Sequence, residues 1–242
     1  MQKLFDVHTH LLEGEISHYF VASGYSAKTN ENVMRKILQY DSGYFSLGLA
    51  PQEVQREEIC PDVRMAVQEF EKQLKYAVSS PELKKKLVAI GEVGLDRHWG
   101  KTEAQRERQF EAFEKAALIA KKENLPLVIH SRDAEKECMR FLDAAGYKKV
   151  LMHCFGGKLE DALAAQEMGW LISIPPRKNS ERKKIIKGLS LENLVLESDA
   201  PYIAKNNGGA LESAKMIAEY REMGLEKVLQ KTFENAKNFF NV

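Results

Sequence analysis

The chain has 242 residues, 44% hydrophobic and 29% charged, the balance of an ordinary folded protein, which excludes a disordered, fibrous or collagen-like chain. Lys and Arg number 36 against 35 Asp and Glu, a net charge of +1, so no overall field draws in nucleic acid, a membrane surface or an acidic ligand, and any phosphate recognition must be local. The three cysteines, Cys60, Cys138 and Cys154, are scattered without CxxC spacing, which argues against a disulfide framework or a thiolate zinc site and points to a reducing cytoplasm.

The chain opens MQKLFDVHTH, with polar residues where a signal peptide needs apolar ones. No later run approaches the roughly 18 apolar residues of a membrane span, so neither export nor insertion is expected. Eight short runs rich in β-branched and aromatic residues follow, at 3–7, 17–22, 44–49, 87–93, 126–130, 150–153, 170–174 and 193–197, alternating with longer helical patterns. Residues 51–86 exceed one crossover and predict one or two charged helices, split near Ser79, Ser80 and Pro81. Residues 103–122 repeat Phe110, Phe113, Ala117 and Ile119 or Ala120 at helical spacing. LVAIGEV and PLVIH are apolar on both faces, as in a parallel sheet covered by helices. The α/β alternation therefore predicts a TIM-type (β/α)8 barrel, and without repeats or linkers one barrel takes up residues 1–242.

Chemistry-bearing residues fall at the ends of these strands. In Asp6-Val7-His8-Thr9-His10 the strand period of two turns both imidazoles to one face, where they can share a cation. Glu92 closes the fourth strand, His130 the fifth, His153 the sixth, and Asp199 follows the eighth. Singly, each has an ordinary structural explanation, as a helix cap or a satisfied core histidine. Together they meet on the barrel face where active sites assemble, and carboxylates gathered with imidazoles there call for divalent cations. Nitrogen and oxygen donors without thiolate suit magnesium, manganese or zinc, as well as iron and nickel. Cys154, beside His153 on its strand, is expected on the opposite face, and His18 is expected to be structural. His98, on the loop after GEVGLD, is placed to touch substrate.

Read as DVHTH, GEVGLD, PLVIHSRDA, HCFGG and ESDAPY, in that order over the whole chain, these segments resemble the TatD family of metal-dependent deoxyribonucleases, within the amidohydrolase-like barrels. The resemblance implies one cation on His8, His10, Glu92 and Asp199 and a second on Glu92, His130 and His153, with Glu92 as the bridge. It further implies hydrolysis of phosphodiesters by metal-activated water at single-stranded DNA ends, with Asp199 as general base. The same site would equally attack an ester or amide carbonyl, for example an aminoacyl ester, since activated water does not select its electrophile. Asp6 is read as a hydrogen-bond partner behind a ligand imidazole. Nothing in the sequence calls for an obligate protein partner.

The chain departs from the family in its loops. Ala50 stands before Pro51 where the family usually has a histidine, and Pro175-Pro176-Arg177-Lys178 replaces a Ser/Gly-rich stretch. After Pro201 the usual basic, Gly-containing segment is reduced to Lys205 and an Asn/Gly turn. Arg177, Lys178 and Lys205 are thus the cationic candidates for phosphate, whereas Arg182, Lys183, Lys184 and Lys187 read as a solvated helix face. Trp99, Phe155 and Tyr202 are the aromatic candidates for stacking bases.

Overall fold

In the computed structural model, which describes residues 3–242, eight parallel strands close in sequence order: β1 (Phe5–Thr9), β2 (Tyr19–Ser23), β3 (Gly43–Leu47), β4 (Leu87–Asp96), β5 (Leu127–Arg132), β6 (Val150–Met152), β7 (Leu171–Ile174) and β8 (Leu194–Leu196). Met1 and Gln2 lie outside the described residues. Around the barrel run α1 (Ala27–Lys36), α2 (Pro51–Val54), α3 (Val63–Ser79), α4 (Pro81–Lys84), α5 (Glu103–Glu123), α6 (Glu135–Ala144), α7 (Leu159–Glu167), α8 (Ser180–Gly188), α9 (Gly209–Arg221) and α10 (Leu225–Phe240). This is the expected TIM-type barrel. The break near residue 80 is present as well, where Ser80 ends α3 and caps α4 ahead of Pro81. Among the described residues no helix is long and apolar enough to cross a membrane.

Two apolar layers hold the barrel. Phe5, Val7, Val21, Val128, Leu151 and Val195 form one buried cluster, against which Ala236 and Phe240 of α10 pack. Alternate strand residues, Phe20, Phe45, Ile129 and Ile172 among them, pack with Phe113, Leu142 and Ile186 of the helices in a larger one. The strand period of two divides side chains between these layers. α5 illustrates the helix side: Thr102 caps it in a reciprocal box with Gln105, and Asn124 ends it in a left-handed turn.

The strands differ from the sequence reading where the ligand-type residues sit. β4 runs four residues beyond Glu92, so Glu92 lies within the strand. Gly91 and Gly94, at φ of 151° and 140°, give the chain freedom there, and the β4–β5 register slips between Ile90 and Val93. β1 carries a second irregularity, with Asp6 opposite Phe20 but Thr9 opposite Ala22. Three residues on β1 thus match two on β2, and Asp6 and His8 no longer share a face.

Gly48 marks the tightest approach to the site. A Cβ there would collide with the Gly24 carbonyl oxygen and with the backbone N and O of Glu92. Gly48→Ala is therefore expected to cost on the order of 3 kcal/mol and to displace Glu92. Gly14→Ala, in open space at a φ of 70°, should cost about 1 kcal/mol. Denaturant unfolding of both variants checks this, and equal losses would count against the close approach.

Candidate metal centre

His8 and His10 face each other with their Nε2 atoms 3.0 Å apart. His10 Nδ1 lies 2.8 Å from the Ser23 carbonyl oxygen. A carbonyl only accepts, so Nδ1 carries the hydrogen and Nε2 turns a lone pair towards His8. Ser23 Oγ sits 3.0 Å from His8 Nδ1 and fixes that ring from behind. Two nitrogens bound at right angles to one cation at about 2.1 Å would themselves lie about 3 Å apart, so the pair fits a shared ion.

Glu92 joins this pair to a second one. Its Oε2 is 3.5 Å from His10 Nε2 and 3.8 Å from His8 Nε2, while its Oε1 is 2.6 Å from His130 Nδ1 and 3.9 Å from His153 Nε2. Asp199 closes the first pair, with Oδ1 3.6 Å from His10 Nε2 and 4.0 Å from His8 Nε2. Its position depends on β1, because the Asp199 N–H donates to the His8 carbonyl at 3.0 Å and the His10 N–H to the Ala200 carbonyl at 2.8 Å. A left-handed φ of 45°, which Asp tolerates better than most residues, turns its carboxylate inward. The groups able to hold a metal ion are His8, Glu92 and His153, and His8, His10 and Asp199. His130 approaches them through Glu92, and its Nε2 is held by Asp96 Oδ2 at 2.8 Å.

Burial sets the protonation states. It drives the His8 imidazole well below its ordinary range, helped by His153 and His10, and lowers His10 likewise. Burial opposes ionisation of Glu92, but His130, His153 and His10 outweigh it and hold the carboxyl well below the usual range. For His130 burial is overcome by Glu92 and Asp96, and for His153 by Glu197, which raises both to about 9. Burial lifts Asp199 to about 8.

Several supporting residues escaped the sequence reading. Glu197 is fully buried, and its Oε2 accepts from Ser173 Oγ at 2.6 Å and from His153 Nδ1 at 3.2 Å. It belongs to ESDAPY, as Asp96 belongs to GEVGLD, so both were in view as motif letters. Ser23 and Gln52, whose amide nitrogen lies 3.2 and 3.3 Å from the His130 ring nitrogens, carry no local signal.

Other expectations are corrected. Asp6 touches no imidazole: its Oδ1 accepts from the His8 N–H at 3.2 Å and the Ser198 N–H at 2.9 Å, since so short a side chain folds back on nearby backbone. Cys154 is not on the strand, because β6 ends at Met152. The chain turns left-handed there, and the Cys154 N–H donates to Ser173 Oγ at 3.0 Å. Phe155 is buried, as is Arg182, whose guanidinium donates to the Phe155 and Arg177 carbonyls at 3.2 and 2.6 Å and ties two loops of the active face together. Lys178 pairs with Glu219 at 2.8 Å. With Lys205 it borders a cleft of about 530 Å³ at the start of α9. Arg177 is exposed. His98, half-buried, lies 3.7 Å from Asp133 and edge-on to Trp99. A cleft of about 1010 Å³ lies beside the candidate ligands rather than over them, and runs from Tyr25 between α1 and α3.

Residues 5–241 match the family model of the TatD related DNases. The chain belongs to the TatD family. It is 30% identical to an uncharacterized metal-dependent hydrolase of Bacillus subtilis, YabD, over 99% of both chains. It is 34% identical to the human deoxyribonuclease TATDN3 over 65% of this chain and 61% of that protein. The fold matches that of YJJV, a TatD homolog from Escherichia coli, with a TM-score of 0.82 at 24% identity, covering 99% and 98% of the two chains. The chain is accordingly a metal-dependent hydrolase.

In the metal-free protein His130, His153 and Asp199 hold protons at neutral pH, and a cation entering among them must displace these. Loading is therefore expected to release protons at pH 7, with affinity rising towards about pH 9 and flattening above it. Calorimetric titration with Mn²⁺ in buffers of different ionisation enthalpy measures this. An affinity independent of pH between neutrality and pH 9 would contradict it.

Proposed function

We propose that this chain is a deoxyribonuclease that uses two divalent cations, of magnesium, manganese or zinc, to hydrolyse phosphodiesters at single-stranded ends. His8, His10, Glu92 and Asp199 would hold one cation, and Glu92, His130 and His153 the other. The observation that carries this reading is the division of Glu92, whose Oε2 faces His8 and His10 while its Oε1 faces His130 and His153. A proton holds Glu92 and His130 2.6 Å apart, where both would otherwise offer lone pairs to one ion. The human relative named a deoxyribonuclease supports the substrate class.

Bound cations supply a lowered pKa for water and offset charge on the phosphoryl oxygens. The chain supplies the rest. Asp199, whose Oδ1 is turned towards His10, takes the proton of the attacking water as general base. Ser23 and Glu197 hold the Nδ1 sides of His8, His10 and His153, so that each Nε2 stays turned inward. His98, Arg177 and Lys205, on loops after β4, β7 and β8, are donors to the phosphate, and Lys178 joins them on leaving Glu219.

The test is release of nucleotides from end-labelled oligodeoxynucleotides with Mg²⁺ or Mn²⁺, run beside carbonyl esters that include an aminoacyl ester. Glu92→Ala is expected to abolish cation binding and turnover together. Asp199→Asn should keep much of the cation binding while lowering kcat by about 100-fold or more. Full activity in either variant would overturn the mechanism, and turnover of esters alone would overturn the nuclease assignment.

A further inference from the structure

Tyr202 and Tyr25 wall in His10 from two sides. Their rings meet the imidazole edge-to-face at 5.1 and 5.2 Å, and their hydroxyls are 3.2 Å apart. Tyr25 is anchored by its backbone, since its N–H donates to Thr29 Oγ1 at 2.9 Å and its carbonyl accepts from the Ala50 N–H at 2.9 Å. Tyr202 follows Asp199 by three residues and is 65% exposed, so a large uncharged ring stands at the rim of a buried polar cluster with most of its surface uncovered. Of the other aromatic candidates, Phe155 is buried and Trp99 is set against His98.

We infer that Tyr202 is the platform on which the nucleobase beside the scissile phosphodiester stacks, with Tyr25 as the positioning residue that holds it. This rests on the deoxyribonuclease reading and names the part of the substrate the tyrosines recognise. A base hangs from the sugar next to its phosphate, so a phosphate at the cluster brings the base within one side chain of the rim. Every base has a π-face, and stacking on a tyrosine is therefore strong and indifferent to sequence. The hydroxyl pair and the contact with His10 fix the ring beforehand, which lowers the ordering cost of binding. The cleft of about 1010 Å³ that Tyr25 borders gives the strand room to leave the site.

Removing the base and removing the ring should have the same, non-additive effect. Labelled single-stranded oligodeoxynucleotides are prepared intact and with the terminal base absent, at either the 5′ or the 3′ end. They are assayed with Mn²⁺ against wild type, Tyr202→Leu, Tyr202→Phe and Tyr25→Phe, with Mn²⁺ affinity measured for each. Wild type is expected to lose roughly tenfold in kcat/KM on the abasic end it acts upon, mostly through KM. Tyr202→Leu should show that loss on intact substrate and little further loss on the abasic one, at unchanged Mn²⁺ affinity. Tyr202→Phe keeps the ring and retains most of the discrimination, and Tyr25→Phe, which loses only the hydroxyl bond, shows a smaller rise in KM. Wild-type cleavage that ignores the base, or losses that multiply between ring and base, would overturn the platform while leaving the nuclease reading intact. Absence of cleavage of every oligonucleotide would overturn both.

Discussion

Glu92 is buried with each carboxylate oxygen against a different pair of imidazoles, and the upper end of the barrel is arranged around that charge. A carboxylate taken out of water needs compensation of comparable strength nearby. Here His130 and His153 carry it in the metal-free protein, and each is held in turn by a further carboxylate, Asp96 or Glu197. The result is an alternating lattice of acids and imidazoles in which no member can be removed without stranding a neighbour. Glycines on either side give the backbone the room this requires. Gly48 lets β3 approach Glu92, and Gly91 and Gly94 loosen the strand that bears it.

The same constraint explains why the active face is stitched together by hydrogen bonds between distant segments. Asp199 is fixed by the His8 carbonyl, His8 and His10 by Ser23, and Cys154 and Glu197 by Ser173. Arg182 extends the pattern outward by binding the carbonyls of the loops after β6 and β7. All of these bonds except the one from Arg182 to the Arg177 carbonyl cross from one βα unit to another, so closure of the barrel is what holds the site together.

Much of the candidate site is legible in the sequence. His8, His10, Glu92, His130, His153 and Asp199 stand in motifs whose order matches one barrel face, and the structure brings all six together, His130 by way of Glu92. Errors arose where alternation was assumed to continue. Asp6 is expected behind a ligand imidazole, but a one-residue slip in β1 turns it to the backbone of His8 and Ser198 instead. Cys154 was assigned to a strand that stops two residues earlier. The ion pair between Lys178 and Glu219 of α9 likewise has no signal in the sequence.

The sequence by itself determined the eight strands, their alternation with helices and the set of ligand-type side chains. These follow from local period and from residue chemistry, both written along one stretch of chain. Tertiary structure alone decided what stands behind each imidazole, which oxygen of Glu92 faces which pair, and that Tyr25 meets Tyr202 above His10. Those contacts join residues up to 177 positions apart. Their partners are chosen by barrel closure and by bulges that shift register one residue at a time, for which no single segment carries a signal.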